Sequence, residues 1–272
     1  MPVRCAVDPS GQNVGVSAQK AWVVAVANQK GGVAKTTTVG SLGSAFAEQG
    51  LSVLLVDLDP QACLTFSLGI DPEGVESSVH QVLLGEVKAA DVVLETDDGV
   101  DLLPATIELA TAEQLLLMRT GREQLLKSAL APLLKSYDVI MLDCPPSLGV
   151  LTTVALTAAN DVLIPLQCET LSHRGVGQLL DTIHDVKRMT NRRLKVVGVL
   201  PTLFDSRTSH GRLVLERIGD DYHVPVLEPP IPKSVRFAEA PAAGRSILAT
   251  ARTSKGAEAY RAVAGNLLSA RA

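Results

Sequence analysis

Aromatic residues make up only 3% of this 272-residue chain, so its core must be built from Val, Leu, Ile and Ala. Cysteine is nearly as sparse: Cys5, Cys63, Cys144 and Cys168 are scattered, with no C-x-x-C pair. A disulfide framework or zinc ribbon is thereby excluded, and a reducing cytoplasm is the expected setting. No uninterrupted apolar run reaches the roughly 18 residues of a membrane span. Nor does a basic stretch, apolar core and cleavage site open the chain, so no signal peptide is expected. The five histidines stand at no ligand spacing, and His173, His210 and His223 read as surface or capping residues. No Ser-His-Asp or thiol-His arrangement can be argued from position. A net charge of −4 argues against a general nucleic-acid binder. What is present is 46% hydrophobic and 20% charged residues, which suits a large α/β domain with ample core.

Residues 1–20 are small and polar without periodicity and read as a mobile tail, leaving 21–272 as a single domain. Short Val/Leu/Ile runs at 22–27, 51–56, 100–103, 138–142, 161–166 and 194–200 predict strands. Helical stretches at 108–136, 148–159 and 172–190 lie between them. Continuously apolar strands alternating with helices predict a mainly parallel, twisted sheet covered on both faces. Gly50 suits the end of the first helix, and Pro132 should break or restart the helix around it.

The run Asn28-Gln29-Lys30-Gly31-Gly32-Val33-Ala34-Lys35-Thr36-Thr37 lies between an apolar strand and a helical segment, the context of a P-loop. Backbone N–H groups of such a turn and the helix N-terminus bind phosphate oxygens. Lys35 is placed to reach the β- and γ-phosphates, and the Thr36 hydroxyl to coordinate Mg²⁺. The strict G-x-x-x-x-G-K-[ST] pattern is not met, because Ala34 stands where the second glycine is expected. Alanine fits there only if the position needs no positive φ. Lys30 is a second cation beside the phosphates that a single subunit does not require; the alternative is a solvated lysine on a Gly-Gly turn.

Two further strands end in acids. Val53 to Val56 leads into Asp57-Leu58-Asp59-Pro60-Gln61, where Asp59 is a candidate to orient or deprotonate the attacking water and Asp57 to support the Mg²⁺ shell. Strand-end acids can equally cap the helix that follows. Val139 to Leu142 and then Asp143 has the Walker B form, with Asp143 expected to hold Mg²⁺ through water opposite Thr36. Pro145 and Pro146 should stiffen the loop beside the γ-phosphate. Cys144 reads as small packing, since Mg²⁺ takes hard oxygen ligands.

Charge is unevenly spread. Residues 186–217 carry a balance of +6 and residues 233–261 a balance of +4, which leaves −14 for the rest. One cationic face on an acidic body is expected, the alternative being ordinary solvated helix faces.

At this point Lys30–Thr37 resembles the deviant Walker A motif of the ParA/Soj chromosome and plasmid partition ATPases, relatives of MinD. Val56–Gln61 and Asp143–Gly149 resemble that family's next two motifs, and Phe204–Thr208 and Ile231–Pro241 also resemble Soj-type sequence. The resemblance implies a P-loop NTPase fold, the cofactors ATP and Mg²⁺, and a homodimer in the ATP state that sandwiches two nucleotides. It implies that Lys30 crosses to the partner's phosphates and that Lys30, Lys35 and Asp59 serve catalysis. Gly31, Gly32, Val33, Ala34, Lys35, Thr36 and Thr37 would bind nucleotide, with Pro201 and Thr202 beside the adenine. Arg207 and Arg236 would contact DNA without sequence preference, and a ParB-like activator would stimulate slow ATP hydrolysis. A cytoplasmic, nucleoid-associated protein without stable membrane anchoring follows, of the short class that lacks an operator-binding domain. The alternatives are a MinD-like positioning factor for another cargo or a nucleotide-locked scaffold with little turnover. The C-terminal stretch 256–272 ends in Leu267-Leu268 but is otherwise mostly small and suits membrane insertion poorly.

Overall fold

The computed structural model describes residues 20–168, 172–205 and 209–271, and the side chains of all of these except 172–174 and 209–212. The expected mobile tail lies outside this description apart from Lys20. The elements run β1 (Trp22–Val26), α1 (Lys35–Glu48), β2 (Val53–Asp57), α2 (Cys63–Ser67), α3 (Val79–Leu84), β3 (Leu94–Glu95), β4 (Asp101–Leu103), α4 (Leu109–Leu117), α5 (Leu125–Leu130) and β5 (Val139–Asp143). They continue as α6 (Val150–Ala158), β6 (Asp161–Gln167), α7 (Ser172–Met189), β7 (Lys195–Thr202), α8 (Ser209–Tyr222), α9 (Arg236–Glu239), α10 (Ile247–Thr250) and α11 (Lys255–Arg271). The strands form one sheet in the order β3-β4-β2-β5-β1-β6-β7. It is parallel apart from the short antiparallel edge strand β3.

The central strands are apolar between their ends because both faces are covered, and β2 and β5 each close on a buried acid. Trp22, Val24 and Val26 of β1, with Leu55 and Met141, face α1 and α11. Val23 and Ala25, with Leu54 and Leu142, face the other way, toward α4, α5, α6 and α7. Helix α1 lies close on the sheet because Gly43 has no side chain; a Cβ there would stand 2.6 Å from Leu55 Cδ2. Gly50, at φ +85°, stops that helix as expected, its N–H bonding the Ala47 carbonyl at 2.9 Å. The long helix expected over 108–136 is instead broken into α4, α5 and two 3₁₀ turns, one of which carries Pro132 in its first turn.

Helix α11 turns its apolar residues inward. Ala257, Tyr260, Val263, Ala264 and Leu267 are buried, and the Tyr260 phenol hydrogen-bonds Thr38 of α1 at 3.0 Å. Among the described residues no helix is long and apolar enough to cross a membrane.

Strand register decides what meets at the carboxyl end of the sheet. Val26 pairs with Asp143, and Asp143 pairs with Asp57, so the ends of β1, β5 and β2 are level. The loop after β1 therefore opens beside Asp143, at the end of the sheet where ligands bind in open α/β folds.

Candidate nucleotide site

The turn from Asn28 to Ala34 is fixed by few but specific contacts. Asn28 is buried; its Nδ2 donates to the Pro165 carbonyl at 2.7 Å, and its Oδ1 accepts from the Lys30 N–H at 3.0 Å. Gly32 has φ +75°, where a side chain is strained. Ala34 is the first surprise of the loop: it caps α1 at φ +63°, ψ +36°, in the left-handed region. The condition under which alanine fits without strain is therefore not met, and the loop holds a backbone state that alanine disfavours by about 1 kcal/mol. Ala62, at the head of α2, and Leu203, just after β7, are also left-handed, at φ +51° and +50°. Three such residues at one site match the tendency of strained backbone to gather where ligands bind.

Beneath the turn, Lys35 is 7% exposed and its ammonium reaches the Lys30 carbonyl at 3.2 Å. Burial pulls its pKa down, while the charge of Asp143 works against that shift. Asp143 is buried at 1% exposure, and neither carboxylate oxygen has a hydrogen-bond partner in the protein among the described residues. Its pKa is raised well above the carboxylate range, first by burial and then by Asp57; the Thr36 hydroxyl eases that charge without completing a hydrogen bond. Two orphaned carboxyl oxygens beside a threonine hydroxyl are the donor set of a hard cation such as Mg²⁺, and the residues present fit it.

The acids after β2 divide. β2 is not the neighbour of β1, because β5 lies between them. Asp57 accepts from the Asp59 N–H at 3.1 Å, the Thr65 N–H at 2.9 Å and the Thr65 hydroxyl at 2.7 Å. The carboxylate thus ties down α2, which is the capping alternative for this residue, rather than the support of a metal shell expected from the sequence. Burial pushes its pKa up to about 6. Asp59 sits outward, its side chain accepting from the Gln61 N–H at 3.0 Å, and it lines the cavity described next.

A cavity of about 690 Å³ lies over the loop. Gly31, Gly32, Ala34, Lys35, Thr36 and Thr37 line it along the turn. Val33 does not line it: it is buried, and its carbonyl accepts the Thr202 hydroxyl at 3.0 Å. Pro201 and Thr202 are buried as well and do not reach the cavity, so Thr202 steadies the loop from behind. The opposite wall comes from Leu203, Ser234, Phe237, Ala238 and Pro241, and it continues through Arg245 and Ser246. Sequence reasoning missed this wall; the only signal was that 231–241 resembled family sequence. Lys30 is half-buried and does not line the cavity; its carbonyl accepts the Lys35 ammonium.

The expected cationic face does not form as one. Arg236 pairs with Glu239 at 2.8 Å, Arg245 with Asp98 at 3.0 Å, and Arg252 and Arg261 both with Glu48. Much of the second basic segment is thus spent on internal ion pairs. In the first segment, Lys187, Arg188, Arg192, Arg193 and Lys195 are exposed. They cluster where α7 ends and β7 begins, at the opposite end of the strands from the cavity, while Arg207 lies outside the described residues.

Comparison with known proteins agrees with this geometry. The AAA domain family matches residues 21–196. The sporulation initiation inhibitor protein Soj of Bacillus subtilis is 44% identical over 88% of this chain and 94% of its own length. The chromosome partitioning protein ParA of Myxococcus xanthus is 40% identical over 90% of this chain and 87% of its own. A crystal structure from Mycobacterium smegmatis, described as cobyrinic acid a,c-diamide synthase, is 58% identical with a TM-score of 0.82. It covers 91% of this chain and 94% of its own, and that protein has also been solved with an ATP analogue and magnesium. By its P-loop, its level strand-end carboxylates and its near full-length similarity to Soj and ParA, the chain belongs to the ParA/MinD family of P-loop ATPases.

Proposed function

We propose that this chain is a partition ATPase whose ATP-bound form is a homodimer that holds DNA without sequence preference and releases it on hydrolysis. The observation that carries the reading is the convergence of Lys35 and Thr36, which line the cavity, on the buried carboxyl of Asp143, whose oxygens have no hydrogen-bond partner among the described residues. Loop N–H groups and Lys35 neutralise the β- and γ-phosphates, and Asp59 orients the water that attacks the γ-phosphorus. Mg²⁺, held by Thr36 and through water by Asp143, would neutralise charge developing on the phosphate oxygens. Lys30, which does not line this subunit's own cavity, reaches the partner's nucleotide, so dimer formation completes the site. The name of the Myxococcus relative, and the ATP analogue and magnesium in the Mycobacterium structure, support this reading.

Filter binding tests it. DNA should be retained with ATP and Mg²⁺ and lost with ADP, and retention should fall steeply with salt because phosphate neutralisation releases counterions. Equal retention with and without nucleotide would overturn the DNA step. Lys30→Ala should abolish the ATP-dependent dimer in sedimentation while leaving the monomer folded; a surviving dimer removes Lys30 from the mechanism.

The Mycobacterium structure's description suggests a second reading, amidation of a corrinoid acid. If glutamine supplied the nitrogen, a thiolate nucleophile would be needed. Burial and neighbouring carboxylates raise the Cys63 pKa, burial raises Cys144, and burial pushes Cys168 up to about 11. None of these described thiols is poised as a thiolate. Incubation with cobyrinic acid, glutamine and ATP should yield no amide, and formation of one would replace the partition reading.

A further inference from the structure

A buried carboxylate on the far side of α1 plays no part in the chemistry above. Asp98 sits in the turn between β3 and β4, at the sheet edge, yet its side chain is only 2% exposed. It accepts hydrogen bonds from the Ser246 backbone N–H at 2.6 Å and from Arg245 Nε at 3.0 Å, and at 3.2 Å it shares the Ser44 hydroxyl of α1 with the Gly40 carbonyl, which lies 2.9 Å from that hydroxyl. Arg245 Nη2 also donates to the Asp97 carbonyl at 2.8 Å. An ionised carboxylate is kept out of water only where donors surround it, and here three do. Two of its partners, Arg245 and Ser246, line the cavity.

The same wall is clamped elsewhere by close backbone approach. A Cβ on Gly244 would lie 2.7 Å from Gly69 Cα, and one on Gly256 would lie 2.6 Å from the Phe237 ring. These contacts are apolar; Asp98 supplies the charged one. The Ser246 hydroxyl is buried and has no hydrogen-bond partner in the protein among the described residues.

We propose that Asp98 is a positioning residue for the nucleotide: through Arg245 and Ser246 it holds the cavity wall against which the nucleoside half lies. The proposal rests on the nucleotide-binding reading above. The Gly31–Thr37 turn addresses the phosphates, whereas Leu203, Phe237 and Pro241 offer surface suited to a base and ribose. Loss of Asp98 frees the wall and leaves the phosphate turn intact, so the two halves of the ligand should respond differently.

Titration calorimetry on the full chain with Mg²⁺, using ATP and inorganic tripolyphosphate as probes, separates them. Asp98→Ala should weaken ATP at least tenfold and tripolyphosphate less than twofold, with KM for ATP raised in step and kcat at saturation within twofold. Asp98→Asn, which keeps an acceptor for Ser246 but no charge for Arg245, should fall between. Unchanged ATP affinity, or equal losses for both probes, overturns the proposal, and Asp98→Asn carries the same comparison if the alanine variant does not fold. Wild-type chain that binds neither probe would overturn the nucleotide reading itself; wild-type binding with an indifferent Asp98 variant overturns only the positioning role.

Discussion

Ala34 and Asp143 show how single residues at this site trade stability for ligand binding. Ala34 holds a left-handed backbone at the head of α1. Ala34→Gly should raise stability by up to about 1 kcal/mol, the relief of strain being partly offset by the entropy of glycine in the unfolded chain. The measurement is the urea midpoint at constant slope, and a lower midpoint would refute the strain. Asp143 buries two unpaired oxygens. Asp143→Asn should therefore stabilise the ligand-free protein by about 1–3 kcal/mol while Mg²⁺-dependent nucleotide binding falls at least a hundredfold. Thermal melts with and without Mg-ATP check both halves, and a variant destabilised without ligand would contradict the assignment. The strand-end acids were legible in the sequence as a pair of candidates. Their division of labour was not, because it depends on Thr65, which packs against Asp57 only once α2 has folded back.

At the level of elements, α1 is the part on which site and scaffold depend together. Its first turn carries Lys35 and Thr36, its middle meets Leu55 through Gly43, and its end is tied to α11 by the Glu48–Arg261 pair, with one contact at 3.0 Å. The Arg261 hydrogen bond holds the Glu48 carboxyl below its usual range. A lowered carboxylate pKa contributes stability that is complete above the unfolded value and lost as pH falls through the folded one. Glu48→Gln should thus cost about 0.5–1 kcal/mol at pH 7, discounted for an exposed pair, and nothing once the pH lies below the folded value. Denaturation of both proteins at pH 7 and at successively lower pH checks this: the gap should close as the pH falls, and a pH-independent gap would mean packing rather than charge. Strands were readable from their continuous apolar runs. The breaks between α4 and α5, and the short helices α2, α9 and α10, were not, since such brief turns form only against neighbouring surface.

For the whole molecule, the charge pattern needed three dimensions before it meant anything. In sequence the two basic segments are alike; in space the four arginines of the second are paired with Glu239, Asp98 and Glu48, while Lys187, Arg188, Arg192, Arg193 and Lys195 remain exposed at the other end of the sheet. If DNA retention depends on these free cations, Arg192→Glu with Arg193→Glu should weaken it at least tenfold and flatten its salt dependence, without altering ATP affinity. Unchanged retention would direct attention to Arg236 and the segment around Arg207.

From its residues alone, this chain determined the parallel sheet, the glycine-bearing turn between β1 and α1, and Lys35, Thr36 and Asp143 as candidates, because apolar periodicity, glycine placement and strand-end acids are local signals. Tertiary structure alone decided that β5 stands between β1 and β2, that Ala34 is strained, and that residues 234–247 close the cavity. Those outcomes depend on strand order and on contacts between segments more than a hundred residues apart, which no local pattern encodes.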